Sequence, residues 1–278
     1  MTPLLPIERA RVFYDGLLTE PRLDHPEGIA VHPDGSVWCG GEEGQIYRIA
    51  GDGSGIEQVA STGGFCLGLA FAGERALYVC DLVHAAVFEL DLASASVERF
   101  ADGAGGQRIR IPNALALDAA GRLYVSDSHA FKQPGPGIFR FDADGSGALW
   151  YGDSLNFANG VALAPGEDAL YVSETFANAI ARIPIRPDGS PGEREEFARV
   201  PGCLPDGLAF GPDGALYVGC YEPSQVLRID AEGNVACLVV DREAHLLCHP
   251  TNVAFRDGAL LTSNLGRWHL TAIDLEQA

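Results

Sequence analysis

Positive charge is scarce in this chain. Its 278 residues carry 19 Lys and Arg against 38 Asp and Glu, a formal net charge of −19. Nucleic acid and anionic membrane are disfavoured as partners, because neither offers counter-charge to an acidic surface. No run of 18 apolar residues occurs, so no helix is expected to span a bilayer. The N-terminal Met1-Thr-Pro-Leu-Leu-Pro-Ile-Glu lacks a basic segment followed by an apolar run, and no signal peptide is expected. The seven Cys form no CxxC pair and are odd in number. That argues against a disulfide framework or a Cys-based zinc site, and for reduced, buried thiols in a cytoplasmic protein. Long helical periodicity is missing throughout. The glycine-rich runs at 51–55 and 102–106 neither follow a strand nor open a helix, so neither reads as a phosphate loop.

What the chain does have is apolar content, turns and repetition. It is 47% hydrophobic, and its 34 Gly and 17 Pro are spread along its length. The phrase Pro205-Asp-Gly-Leu-Ala-Phe returns five times with its lead residue changed. The copies are Glu27-Gly-Ile-Ala-Val, Leu67-Gly-Leu-Ala-Phe, Asn113-Ala-Leu-Ala-Leu, Asn159-Gly-Val-Ala-Leu and Thr251-Asn-Val-Ala-Phe. The lead positions 27, 67, 113, 159, 206 and 251 are spaced 40, 46, 46, 47 and 45 residues apart. That period suits a four-stranded propeller blade. In the fifth unit Leu208-Ala-Phe predicts a first strand and Pro212-Asp-Gly a turn. Ala215-Leu-Tyr-Val-Gly, Gln225-Val-Leu-Arg-Ile-Asp and Val235-Ala-Cys-Leu-Val-Val predict the other three strands. The other units substitute in register.

The sixth unit ends at Leu270-Thr-Ala-Ile-Asp without a fourth strand, while Glu8-Arg-Ala-Arg-Val-Phe-Tyr-Asp-Gly looks like a fourth strand without a unit. The N-terminal strand is therefore expected to join the last blade and close the ring, which removes open sheet edges. The reading is all-β: one six-bladed β-propeller domain over residues 1–278, with four-stranded blades and no linker.

In a propeller the first strand of each blade lines the central channel, so the lead residues face one another. Taken singly, an Asn or Asp before Gly is also an ordinary turn former. As a set, Glu27, Asn113, Asn159 and Asp206 bring two carboxylates and two amide carbonyls to one mouth. That donor set suits a hard divalent cation. A second ring is expected where the second strands end, at Asp81, Asp127, Glu174 and Asn264, available to substrate hydroxyls. His25, His129, His249 and His269 fall in mouth loops and are candidate proton shuttles. Arg108 and Arg110 precede Asn113, within reach of a substrate carboxylate or carbonyl. No Gly-x-Ser-x-Gly elbow and no Trp-Asp repeat motif occurs.

His25-Pro-Glu-Gly, Pro112-Asn-Ala-Leu, Phe157-Ala-Asn-Gly-Val-Ala-Leu-Ala-Pro, Leu170-Tyr-Val-Ser-Glu-Thr and Pro205-Asp-Gly-Leu-Ala follow in an order and spacing that resembles the SMP-30/gluconolactonase/LRE-like family. The resemblance covers nearly the whole chain. It implies a six-bladed propeller whose channel holds one divalent metal ion on Glu27, Asn113, Asn159 and Asp206. Calcium is the first choice, with Zn, Mg, Mn and Fe as alternatives. It implies hydrolysis of a small-molecule lactone or ester; taken with the residue reading above, Asp206 is the expected catalytic residue, Asp127, Glu174, His129 and Arg110 the expected substrate binders, and a monomer or small homo-oligomer the expected assembly. Two departures stand near the expected pocket. Ile111 occupies a position often held by Arg, and Trp38-Cys-Gly-Gly lacks the usual acidic residue. A more apolar lactone fits both. A non-catalytic propeller with a structural cation, and a lyase or condensing enzyme resembling the strictosidine synthase group, are the rival expectations.

Overall fold

The computed structural model describes residues 2–275. Among these there is no α-helix, only short 3-10 turns at Ile7–Arg9 and Thr175–Ala177. Six four-stranded antiparallel sheets follow one another along the chain. Their inner strands are Ile29–Val31, Cys66–Ala72, Pro112–Leu117, Ala158–Leu163, Leu204–Phe210 and Pro250–Arg256. Each packs beside the next, and the first packs beside the last. These sheets are blades 1 to 6. The outer strand of blade 6 is Ala10–Asp15, antiparallel to His269–Asp274, with Ala10 opposite Ile273 and Asp15 opposite His269.

Every blade is sandwiched between two others, so both of its faces are apolar. One buried cluster lies between each neighbouring pair of blades. Between blades 4 and 5, for example, Ile180 and Ala198 meet Val218, Leu227 and Ile229. Leu5, Ala10 and Tyr14 join the two clusters that flank blade 6. All seven Cys are free and buried. No described helix is long and apolar enough to cross a membrane.

The lead residues do not stand in turns. Asn113, Asn159, Asp206 and Thr251 lie inside the inner strands. In blades 2 to 6 the pairing register advances three residues on the inner strand for two on its neighbour. The irregularity falls between Cys66 and Leu69, Pro112 and Leu115, Ala158 and Val161, Pro205 and Leu208, and Pro250 and Val253. Each lead residue and its successor occupy this β-bulge. A bulge kinks the strand and re-aims side chains, and bulges concentrate beside active sites.

The glycine after the lead residue has a packing role rather than a turn role. A Cβ at Gly160 would overlap the carbonyl oxygen of Asp206. At this position only a residue without a side chain lets the inner strands of blades 4 and 5 approach this closely.

Candidate active site

Glu27, Asn113, Asn159 and Asp206 are 4, 6, 5 and 5% exposed, although all four are polar. Neighbouring hydroxyls fix the two amides. The Asn113 Nδ2 donates to Ser128 Oγ at 3.1 Å, and Ser128 Oγ donates to the Ala158 carbonyl at 2.7 Å. The Asn159 Nδ2 donates to Thr175 Oγ1 at 3.2 Å, and Thr175 Oγ1 donates to the Pro205 carbonyl at 2.8 Å. Each hydroxyl has one proton and gives it to a carbonyl, so it must accept from the amide. The NH₂ group therefore faces the hydroxyl, and Oδ1 is left as the free acceptor. Ser126 Oγ supports the same region. It accepts from the Ala114 N–H that the bulge releases, at 2.9 Å, and donates to the Asn159 carbonyl at 2.6 Å.

The backbone of Glu27 is held from blade 6. Its carbonyl accepts from Thr251 Oγ1 at 2.7 Å, Ser263 Oγ at 2.5 Å and Asn252 Nδ2 at 3.0 Å. Asn252 Nδ2 also reaches Glu27 Oε2 at 3.1 Å. The lead residue Thr251 thus positions a donor instead of being one, and Leu67 is buried among apolar neighbours. Sequence reasoning missed Ser128, Thr175 and Asn252. Signals were present: a Ser or Thr follows the second strand only in the two blades led by Asn, and Asn252 alone breaks the Gly/Ala pattern after the lead residue.

The electrostatics show a site short of positive charge. Burial, and then repulsion from Asp206, push the Glu27 carboxyl well above the ordinary glutamate range. Burial pushes Asp206 up to about 8, partly offset by a hydrogen bond with Asn159. Among the described residues, no ion pair reaches either carboxylate, and buried Asp206 Oδ1 has no hydrogen-bond partner. Two desolvated acids, two oriented amide oxygens and an orphaned acceptor fit a divalent cation held by oxygen alone.

This arrangement has a measurable cost in cation-free protein. Folded Asp206 and Glu27 hold protons that the unfolded chain releases. The resulting stabilisation is complete below the unfolded aspartate value of 3.8 and is lost as pH rises to about 8. Cation-free protein is expected to melt at lower temperature at pH 8 than at pH 5, by up to about 1.4 kcal/mol per pH unit for each retained proton. Thermal unfolding in chelator across this range checks the sign. A Tm that climbs steadily from pH 5 to 8 would contradict it.

The residues of the expected second ring are hydrogen-bonded to nearby loops. Asp127 Oδ1 accepts the N–H groups of Ile111 and His129 at 2.8 Å each, and its Oδ2 accepts that of Arg110 at 3.0 Å. Glu174 Oε1 accepts the Asn156 N–H at 2.9 Å, and Oε2 takes Arg194 Nε at 2.7 Å. Asp81 and Asn264 likewise accept the N–H groups of His84 and Cys248. These hydrogen bonds clamp mouth loops. Arg110 and His129 do meet, at 3.5 Å, with Arg110 exposed and His129 half-buried. His269 is held by the Leu246 carbonyl at 3.0 Å, and burial lowers its pKa. His25 packs on Trp268 at 4.6 Å with a buried Nε2 that has no partner. His249 stacks on Tyr221 at 4.4 Å.

His25, Phe157 and His249, each two residues before a lead residue, have φ of 29°, 61° and 52°. Left-handed backbone at non-glycine residues costs about 1 kcal/mol or more each, and such strain clusters at functional sites. A surface cavity of about 750 Å³ lies beside the Pro212-Asp-Gly turn among Tyr217, Arg228 and Phe255. It includes none of the four donors.

Comparison with known proteins gives a consistent picture. A model of the SMP-30/Gluconolactonase/LRE-like region matches residues 60–262, and one of the strictosidine synthase-like N-terminal region matches residues 17–49. A 6-deoxy-6-sulfogluconolactonase of Pseudomonas putida is 30% identical over 54% of this chain and 52% of its own length, so the match spans about half of that relative. Protein strictosidine synthase-like 6 of Arabidopsis thaliana is 27% identical over 91% of this chain and 80% of its own. The solved structure of a gluconolactonase from Xanthomonas campestris shares the fold. Its TM-score is 0.79 at 22% identity, with 95% of this chain and 88% of that one covered.

Proposed function

Because the chain belongs to the SMP-30/gluconolactonase/LRE-like family, we propose that it is a divalent-cation-dependent lactonase that hydrolyses a lactone ring to the hydroxy acid. One observation carries this reading: two mutually repelling buried carboxyls beside two hydroxyl-oriented amides, with Asp206 Oδ1 bare. The lactonase names of the Pseudomonas and Xanthomonas relatives support the substrate class.

Glu27, Asn113, Asn159 and Asp206 would hold the cation. Bound there, it would polarise the ester carbonyl and take the place of the protons that Glu27 and Asp206 otherwise retain. An all-oxygen donor set favours calcium; zinc, magnesium, manganese and iron are alternatives. Glu27 supplies charge, and Asn113 and Asn159 supply geometry without adding charge. Asp206 would help hold the cation and would also serve as the proton acceptor. It takes a proton from water as the oxygen adds to the carbonyl carbon. It returns it to the ring oxygen as the ring C–O bond breaks. Arg110 and His129 stand at the mouth to orient the substrate. Seven free thiols suit a reducing, cytoplasmic compartment.

A second reading, a propeller lyase or condensing enzyme, has the long strictosidine synthase-like match in its favour. A panel of glucono-δ-lactone, an alkyl δ-lactone and an aryl ester separates the two. Hydrolysis should fall to background in chelator and return with calcium. Turnover indifferent to chelator would remove the cation's role. No turnover with any added cation would favour the second reading or a non-catalytic propeller.

A further inference from the structure

The mouth is apolar on the side of blades 3 and 4. Phe131 is 68% exposed. Its ring meets Phe176 edge-on at 5.2 Å and Phe157 at 6.2 Å, and Phe157 meets Phe176 at 5.0 Å. Lys132 Nζ lies 5.3 Å from the centre of Phe131 and 5.6 Å from that of Phe176. This cation–π arrangement braces the two rings from one side.

The chain ties this cluster to the four donors. Phe157 precedes Asn159 by two residues. Phe176 follows Thr175, whose hydroxyl holds the Asn159 amide. Phe131 stands three residues after Ser128, whose hydroxyl holds the Asn113 amide. Any displacement of these rings is therefore adjacent to the groups that orient the amide oxygens. The backbone at Phe157 is left-handed, with φ of 61°. An aromatic residue is costly there, and the ring stays in the cluster in spite of that cost.

A single exposed apolar residue is ordinary, but three aromatic rings gathered beside a desolvated polar centre form a surface fit for an apolar ligand. A polyhydroxylated ring would instead need free polar side chains at the same place. Of the polar groups on these two blades, Asp127 and Glu174 are already bonded to backbone N–H groups and Arg194.

We infer that Phe131, Phe157 and Phe176 bind an alkyl or aryl substituent on the lactone ring, and that the enzyme prefers such lactones to sugar lactones. This rests on the lactonase reading. The test compares δ-decalactone, which carries a pentyl chain, with unsubstituted δ-valerolactone and with glucono-δ-lactone, using calcium-loaded full-length protein. The expected kcat/KM for δ-decalactone exceeds that for δ-valerolactone by about tenfold or more, mainly through KM. Phe131→Ala and Phe176→Ala should each shrink that ratio by about fivefold to tenfold, and Phe131→Leu should retain most of it. Phe131 is largely exposed, so its variants should melt near the parent temperature. A preference for glucono-δ-lactone, or a ratio that both alanine variants leave untouched, overturns the inference while leaving lactonase activity standing. No turnover of any of the three removes the lactonase reading and this inference with it.

Discussion

Replacing Asp206 by alanine is expected to lower kcat for lactone hydrolysis by about a thousandfold or more, since in the proposed mechanism it removes both a cation ligand and the proton acceptor. The fold should survive. Among the described residues Asp206 makes no ion pair, and its Oδ1 has no hydrogen-bond partner to lose. Its neighbours Pro205 and Leu208 keep their pairing with Cys220 and Val218 through backbone bonds. Asp206→Asn separates the two roles. The amide retains an oxygen of the kind that Asn113 and Asn159 offer, so cation-dependent stabilisation should weaken but persist. It accepts no proton at neutral pH, so turnover should still be lost. Kinetics on one good lactone, together with thermal shifts with and without calcium, decide the matter. Near-normal hydrolysis by the alanine variant would overturn the assignment of Asp206.

Replacing Glu27 by glutamine should move stability and cation binding in opposite directions. In cation-free protein above pH 7 the substitution removes a buried acid that is penalised by burial and by repulsion from Asp206. Gln keeps the shape and an oxygen for the Asn252 amide, which lies 3.1 Å from Glu27 Oε2. A gain of about 1–3 kcal/mol is expected. The same change halves the acidic charge offered to a divalent cation. Affinity should fall by about a hundredfold or more, because charge count sets affinity at oxygen-donor sites. The calcium-induced rise in Tm, which scales with RT ln(1 + [Ca²⁺]/Kd), should then largely vanish. Melting curves at pH 8 with chelator and with calcium check both halves. Parent and variant responding equally to calcium would remove Glu27 from the donor set. A variant less stable than the parent in chelator would show that Glu27 and Asp206 do not repel as described.

Much of the fold was legible because a repeat is written into local sequence. Turn residues such as Pro212-Asp-Gly, alternating strands such as Ala215-Leu-Tyr-Val-Gly, and a spacing near 46 residues do not depend on what lies elsewhere in the chain. Comparison of six copies also singled out Glu27, Asn113, Asn159 and Asp206, since Leu67 shows that the slot itself demands nothing polar. The loop-holding bonds of Asp127 and Glu174 were not legible for a definite reason. An acid at the end of a strand has the same letter whether its oxygens face substrate or clamp a loop. The N–H groups that satisfy Asp127 belong to residues 110, 111 and 129, and only folding brings two of those beside it.

By itself, then, the sequence determined the six-fold repeat, its all-β character and the chemical types at the channel mouth, because these are properties of short segments. The tertiary structure alone decided which acceptors are free. The bulges lift the lead residues out of strand alternation. Ser128 and Thr175 turn the amides by bonding to carbonyls of the next blade, and Thr251 and Asn252 hold Glu27 across the join between blades 6 and 1. Each of these depends on two blades approaching closely enough to share a hydrogen bond. That distance is set by packing around the whole ring and is not encoded at any single position.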